Sequence, residues 1–538
     1  MSLLKKDISR TLVSLAMGVF FALCSVLARL DFFMELCGSV FVLVLCFASF
    51  AALIGAFLFV IYGALANVSF LLPEGKLRNT GLRRQLLVFF AAFFILLGWF
   101  SMWMLFRFPG CLSPDSTWQL MQARGLEPLS NHHPIAHTMI IRLCINLGFA
   151  ISSNPSVALA MYTILQAAFL ACAYAYLIST LYKMRVRLWV IGVIFASFIV
   201  LPYHGSLSAT MVKDVWFAAF ILILCLSVWR LMLSLKAEGR ASRWDLSLLF
   251  ISALGMCLFR TNGLYAFIVF LPFIVVFFFK KSKAAAVLPI VAAVLALVIT
   301  GPFYSALGIA PPDVIEPLAI PTQHITRAIV DGAELSEGQR ELLNNVVDID
   351  AAAELYCPWL VDTVKHFIRQ EGDLEYLSAH KDEFMKLWLE LGLENPLSYL
   401  KAHIDLIRGY IYPLTDGTVM YLYFTEPPLE GMCMLPGPVA ALLSAMAVHM
   451  PHIPVFNLFF SNGAAIWLYM FLFGLCIAKK KYSQLILFVP VLAVWLTLLV
   501  ATPLDNEFRY VYNVFATLPL MCVVPFSHVN CNKAKEQA

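Results

Sequence analysis

A few ionisable residues stand in places where an otherwise apolar chain has little use for them. The first group runs Phe108-Pro-Gly-Cys-Leu-Ser-Pro-Asp115-Ser-Thr-Trp-Gln119 and continues to Asn131-His132-His133-Pro134. Pro109, Gly110 and Pro114 impose a turn, which places Asp115 at the start of a short helix. A carboxylate held there suits a general base, and it suits a helix cap equally. His132 and His133 could orient it, bind phosphate or bind a cation; the bland alternative is turn polarity before Pro134. The second group is Ser208-Ala-Thr-Met-Val-Lys213-Asp214-Val-Trp216. Adjacent residues on a helix point apart, so Lys213 and Asp214 each need another partner. Lys213 suits a lipid-linked phosphate, or else snorkels at an interface. The third, Leu258-Phe-Arg260-Thr-Asn262-Gly263-Leu-Tyr265, breaks a long apolar stretch. Its guanidinium suits two-pronged phosphate recognition, or the segment is a plain polar turn. In the fourth, Asp505-Asn-Glu507-Phe-Arg509-Tyr510, Arg509 serves either a ligand or an ion pair with Glu507 or Asp505.

The elements that hold these groups follow from composition. The 538 residues are 61% hydrophobic and 13% charged, with mean hydropathy +0.83. Soluble domains carry about 25% charged residues, so a water-soluble core is excluded. Apolar runs near the length that crosses a bilayer recur along the chain. They are continuously apolar and not alternating, which favours helices over a barrel. The expected fold is an all-α polytopic membrane protein with twelve spans: 11–30, 38–66, 86–106, 156–182, 188–203, 213–234, 245–259, 262–280, 284–306, 455–478, 483–501 and 510–526. Shorter pieces at 135–151, 409–424 and 436–450 suit interfacial or re-entrant helices. The first run is shaped like a signal peptide but reads as a retained span, because a second run follows almost at once. The 13 cysteines lie mostly in apolar runs, as Cys24, Cys46, Cys172 and Cys225 do, with no zinc or CxxC spacing. No internal repeat supports an inverted-repeat transporter.

Orientation follows from Lys and Arg in short loops. The clusters are Lys5, Lys6 and Arg10; Lys76, Arg78, Arg83 and Arg84; Lys183, Arg185 and Arg187; Lys236, Arg240 and Arg243; Lys280, Lys281 and Lys283; and Lys479, Lys480 and Lys481. Threading twelve spans puts all of them on one side. Both termini are then expected in the cytoplasm, with all four polar groups on the outer face of the cell membrane. Three regions are expected: membrane helices over 1–306 with an outer loop at 107–155, an extracytoplasmic segment over 307–454, and membrane helices with a short cytoplasmic tail over 455–538. The stretch 307–407 is soluble in character and holds 18 of the 33 acidic residues. Ser336 with Gln339 predicts a capping box, and Gly372 predicts a helix stop.

Carboxylates, histidines, Lys213 and two arginines thus converge on one face, where a phosphate at headgroup level would meet them. This order of features resembles the GT-C superfamily of membrane glycosyltransferases, in its protein O-mannosyltransferase and aminoarabinose transferase-like branch. Ser113-Pro-Asp115-Ser-x-x-Gln119 with His133-Pro134, Lys213-Asp214, Arg260-x-Asn262-Gly263, Ile320-Pro-x-Gln323 and Arg509-Tyr510 are similar to a bacterial group of such proteins. The resemblance implies transfer of a sugar from a polyprenyl-phosphate carrier to a glycan or protein acceptor outside the cytoplasmic membrane. It assigns Asp115 the base role and makes His132, His133, Lys213, Asp214, Arg260, Asn262, Gln323 and Arg509 substrate-binding candidates. A divalent cation near Asp115, His132 and His133 is compatible with it but not demanded by any spacing. No nucleic-acid partner is expected. A flippase, transporter or ligase for a polyprenyl-linked saccharide is the alternative; a transporter should place its charges at the bilayer midplane, whereas these sit at span ends.

Overall fold

The computed structural model describes residues 2–72, 80–414 and 432–527, with side chains from residue 8 onward. The side chains of Lys5 and Lys6, the residues Lys76 and Arg78, and positions 415–424 of the expected short piece 409–424 lie outside the described residues.

The described chain is almost wholly helical; its named strands are two pieces of two residues each. Among the described residues, eight helices are long and apolar enough to cross a membrane: Ile8–Ala28, Val40–Leu65, Leu82–Phe106, Pro155–Lys183, Lys213–Glu238, Thr261–Phe279, Lys283–Ala306 and Phe508–Phe526. A ninth span results if Leu188–Val200 and Pro202–Ser208, bent by 56°, count as one. The bend falls at Pro202, which cannot supply the amide hydrogen that would continue the first helix. The other three expected spans correspond to shorter helices: Arg243–Phe259 and Asn462–Ala478, of 17 residues each, and Val489–Ala501, of 13. Among the described residues each of the twelve expected spans thus corresponds to a helix, and eight or nine of them have the length and apolarity to cross a membrane. The pieces 135–151 and 436–450 form the helices Ile135–Ile151 and Gly437–His449.

Burial follows residue type around each helix. Lys213–Glu238 is apolar on nearly every side and sits at the centre of the bundle, with Phe217, Leu224 and Trp229 fully enclosed. A helix that is hydrophobic all round belongs in such a position or in lipid. Val40–Leu65 takes the lipid-like option: Phe41, Leu53, Phe57 and Val60 are exposed along it. One core joins the first helix, the central helix and the last helices of the chain, so regions 1–306 and 455–538 pack as one body.

A second apolar core lies within the acidic stretch, built from Ile315, Ile325, Leu343, Ile349, Ile368, Phe384 and Leu391 among others. Ser336 and Gln339 form the expected capping box. The helix Asp362–Glu371 stops at Gly372, which is extended and not left-handed; a Cβ there would stand 2.5 Å from the Ile368 carbonyl oxygen. After two more helices, Pro396–Ile411 returns to the main core through Leu406 and Tyr410.

The bundle has two chemically different ends. At one, Lys479 Nζ donates to the Leu65 and Val68 carbonyls at 3.0 and 2.8 Å, and Lys481 Nζ to the Pro525 carbonyl at 2.9 Å. Arg187 donates to the Leu71 carbonyl there, and Lys236 and Lys281 line a common cavity with Ser483. Arg187, Lys236, Lys281, Lys479 and Lys481 thus lie toward one end of the bundle. The other end holds Asp115, Lys213, Arg260 and Arg509.

Candidate functional site

Two segments far apart in sequence are brought together by a minimal parallel ladder. Cys111 pairs with Thr210, and Leu112 with Met211. Parallel strands leave their pairing in the same direction, and here each starts a helix within two residues: Pro114–Ala123 from the first and Lys213–Glu238 from the second. The ladder therefore sets the first turns of two helices side by side. Gly110 permits the approach. Its φ is +133°, and a Cβ there would lie 2.5 Å from Thr163 Oγ1 and 3.0 Å from the Ala209 carbonyl.

The helix cap is supplied by Ser113 and not by Asp115. Ser113 Oγ accepts from the Ser116 amide, and Ser116 Oγ accepts from the Ser113 amide at 2.7 Å. Asp115, relieved of capping, turns its carboxylate to the neighbouring helix, still within the first turn where a negative charge is favoured. Its Oδ2 accepts from Lys213 Nζ at 3.1 Å and from Arg509 Nη1 at 2.9 Å. Burial works to raise the carboxyl, but the Lys213 ammonium and the Arg509 guanidinium outweigh it and hold Asp115 well below the usual carboxylate range. Lys213 Nζ also donates to His133 Nδ1 at 3.2 Å. Burial and the Lys213 charge push His133 down to about 2, so its ring is neutral and carries its proton on Nε2.

Lys213 and Asp214 diverge as adjacent helical residues must. Asp214 is 1% exposed and accepts from Arg260 Nη1 at 2.5 Å; its Oδ2 has no partner among the described residues. The Arg260 guanidinium lies over the ring of Tyr510, 4.6 Å from its centroid. Arg509 Nε donates to buried Glu507 at 3.1 Å. Lys213, Asp115, Arg509 and Glu507 thus form one chain of ion pairs, with the Asp214–Arg260 pair beside it, so three carboxylates face three cations. Ser113, Asp115, Gln119, Lys213, Asp214 and Arg509 border a tightly packed recess within it that leaves no water-sized space.

A buried polar network lies beneath. His137 binds Gln119 Oε1 through Nδ1 at 2.9 Å and the Tyr162 hydroxyl through Nε2 at 2.6 Å. Tyr162 donates to Gln166 Oε1 and accepts from Trp216 Nε1. Gln166 Nε2 donates to the Leu207, Ser208 and Thr210 carbonyls. The network ties the Asp115 helix, through Gln119, to the segment leading into Lys213. His137, Tyr162 and Gln166 escaped the sequence reading because a lone polar residue in an apolar helix gives no spacing signal.

The remaining sequence-derived residues lie elsewhere. His132 turns away from Asp115 toward Glu316, at 3.9 Å. Glu316 also receives Lys365 and Arg369, and Arg369 binds Asp313 at 2.7 Å. The last three pairs lie within the acidic helical segment, and His132 reaches that segment from the loop. Asn262 donates to Thr497 Oγ1, and Gln323 donates to the Cys357 and Pro358 carbonyls. Neither joins the Asp115 cluster.

A divalent cation does not fit the donor set. Asp115 faces two cations and His133 faces Lys213, and among the described residues no three His, Cys, Asp or Glu side chains form a metal-holding group.

No curated protein and no solved structure matches the chain. The model of one family matches residues 125–538, a stretch that contains His132, His133, Lys213, Asp214, Arg260, Asn262, Gln323 and Arg509, while Asp115 precedes it. The chain belongs to that family, DUF6020, described as a family of unknown function.

Proposed function

We propose that this membrane-embedded chain is a glycosyltransferase that moves a sugar from a polyprenyl-phosphate carrier to an acceptor hydroxyl on a glycan or protein. The observation that carries the reading is the single Asp115 oxygen shared by Lys213 and Arg509 at the end of the bundle opposite the Lys- and Arg-rich loops. By the positive-inside rule the Lys-rich end faces the cytoplasm and the Asp115 cluster the outer face. Charges at helix ends, and not at mid-bilayer, support an enzyme over a transporter.

The ion pairs suggest the order of events. A carboxylate with a strongly lowered pKa is a weak base. The donor phosphate, itself an anion, takes over Lys213 and Arg509 from Asp115. Freed of both cations, the Asp115 carboxyl rises toward the range where it can accept a proton. It removes the acceptor hydroxyl proton as that oxygen bonds to the anomeric carbon. The bond from this carbon to the phosphate oxygen breaks, and its electron pair leaves with the phosphate, stabilised by Lys213 and Arg509. The proton passes from Asp115 to the released phosphate, and Asp115 returns to its cations. Neutral His133 keeps Lys213 aimed at the phosphate.

The test is transfer of label from polyprenyl-phosphate-linked hexoses and pentoses by the full chain in proteoliposomes. Asp115→Asn should lower transfer by about 100-fold or more, the range of general base catalysis, while carrier binding persists. Transfer at the parental rate by this variant contradicts the base role.

A further inference from the structure

A second cavity, of about 400 Å³, opens where the first membrane helix ends. Its wall carries four cations, Arg29, Arg327, Lys401 and Arg408, and three carboxylates, Asp31, Asp405 and Asp505. Two of the cations are satisfied within the fold. Lys401 Nζ binds Asp31 at 2.8 Å, and Arg327 binds Asp405 at 3.2 Å and Asp331 at 2.9 Å. The other two differ: among the described residues neither Arg29 nor Arg408 forms an ion pair, and the Arg29 guanidinium only stacks over the Tyr412 ring, 5.5 Å from its centroid. Two guanidiniums on one cavity wall with no carboxylate at ion-pairing distance are a forked donor set for an anion, although Arg408 already feels the charges of Asp405 and Asp505. Asp31 and Asp405 are each held by a cation, so Asp505 is the carboxylate that an incoming anion would have to displace from beside Arg408. Burial raises it to about 6, although the Gly409 amide and the nearby Arg408 both favour its charged form.

The depth of the cavity bears on the ligand. Arg29 directly follows the span Ile8–Ala28, so its guanidinium stands at headgroup level, and Leu27, Ala28 and Phe32 supply apolar wall beside it. We infer that this cavity binds a phosphate group, gripped by Arg29 and Arg408. The site is separate from the Asp115 recess, and the inference does not depend on glycosyl transfer. The two are neighbours along the chain, since Asp505 lines the cavity and Arg509, four residues on, holds Asp115. The phosphate can belong to an anionic lipid headgroup or to a free phosphorylated solute, and the experiment separates these sources.

The full chain is reconstituted in nanodiscs, as the parental protein and as Lys213→Gln, which weakens the other candidate phosphate site. Two probes are used: labelled inorganic phosphate by equilibrium binding, and phosphatidylglycerol against phosphatidylcholine by retention in native mass spectrometry. Binding should persist in Lys213→Gln and fall about tenfold or more in Arg29→Gln and in Arg408→Gln, a loss of the size expected for one charge-assisted contact. Binding of phosphate assigns the site to a solute, and selective retention of phosphatidylglycerol assigns it to a lipid. Arg29→Gln keeps the test decisive if Arg408→Gln fails to fold, because Arg29 has no ion pair in the fold to lose. The inference is overturned if neither probe binds, if both arginine variants bind as the parental protein does, or if binding disappears in Lys213→Gln alone.

Discussion

Replacing Arg260 by Met should destabilise the protein far more than replacing Arg260 and Asp214 together. Asp214 is 1% exposed, and one of its two oxygens depends wholly on Arg260. The Arg260 side chain is 10% exposed. Loss of the guanidinium leaves a buried carboxylate without its paired counter-ion, with only the more distant Arg509 charge still acting on it, and removal of one member of such a pair costs about 3–5 kcal/mol. Asp214→Leu alone strands the guanidinium, at a somewhat lower cost because the Tyr510 ring still faces it. The double variant Asp214→Leu with Arg260→Met leaves no unpaired charge, and such replacements are often near neutral. The coupling between the sites should therefore be about 2–4 kcal/mol, several times the roughly 0.5 kcal/mol within which independent sites add. The four proteins are compared by denaturant unfolding in one detergent, followed by tryptophan fluorescence. If the double variant loses the sum of the two single losses, Arg260 is not the partner that Asp214 depends on, and the strut described here is wrong. The cycle also bears on chemistry: a strongly coupled Arg260 is a structural counter-ion first, which leaves Lys213 and Arg509 as the cations that can be exchanged to a phosphate.

Asp115→Asn should cost about 1–3 kcal/mol, less than full burial would give, because its side chain is 29% exposed. The Asp115 carboxyl is lowered in the folded state, so its stabilisation is present above the unfolded value near 3.9 and is lost as pH falls through the folded value. The acid limb of a melting-temperature profile should flatten in this variant; an unchanged limb would contradict the assignment. Asp505 has the opposite sign: its folded value of about 6 lies above the unfolded one, so its favourable contribution is complete below about pH 4 and is gone above about pH 6. Asp505→Asn should thus stabilise at pH 7.5 by up to about 3 kcal/mol and change little at pH 4, read by the same melting profile. Tyr162→Phe leaves His137 Nε2, Gln166 Oε1 and the Trp216 indole without their shared hydroxyl, and should cost about 1–3 kcal/mol. It should also weaken the Asp115 to Lys213 pairing, seen as a smaller effect of Asp115→Asn in that background.

Much of the site was legible because charge is costly in an apolar chain. The observation that Lys213 and Asp214 must point apart foretold that each would find a different partner, and it does, in Asp115 and in Arg260. Of the charge clusters, Arg187, Lys236, Lys281, Lys479 and Lys481 do lie toward one end of the bundle. What stayed hidden depends on tertiary pairing. Nothing in Cys111-Leu112 or Thr210-Met211 announces a parallel ladder of two residues, although that ladder aligns the two helix starts. His132 and His133 look equivalent in sequence, yet a half-turn of loop sends one to Glu316 and the other to Lys213. The 3-10 segments Phe456–Phe460 and Tyr482–Leu487 overlap the runs expected as spans, and hydropathy alone does not separate them from the helices that follow.

The central claim is that Lys213 and Arg509 exchange Asp115 for a lipid phosphate. Binding of a polyprenyl phosphate to the reconstituted chain tests it most directly, measured for the parental protein, Lys213→Gln, Arg509→Gln and Asp115→Asn. The account predicts weaker binding, by about tenfold, in each cation variant, and tighter binding in Asp115→Asn, where the competing carboxylate is gone. Binding that is unchanged in Lys213→Gln and Arg509→Gln, or weakened in Asp115→Asn, would contradict it.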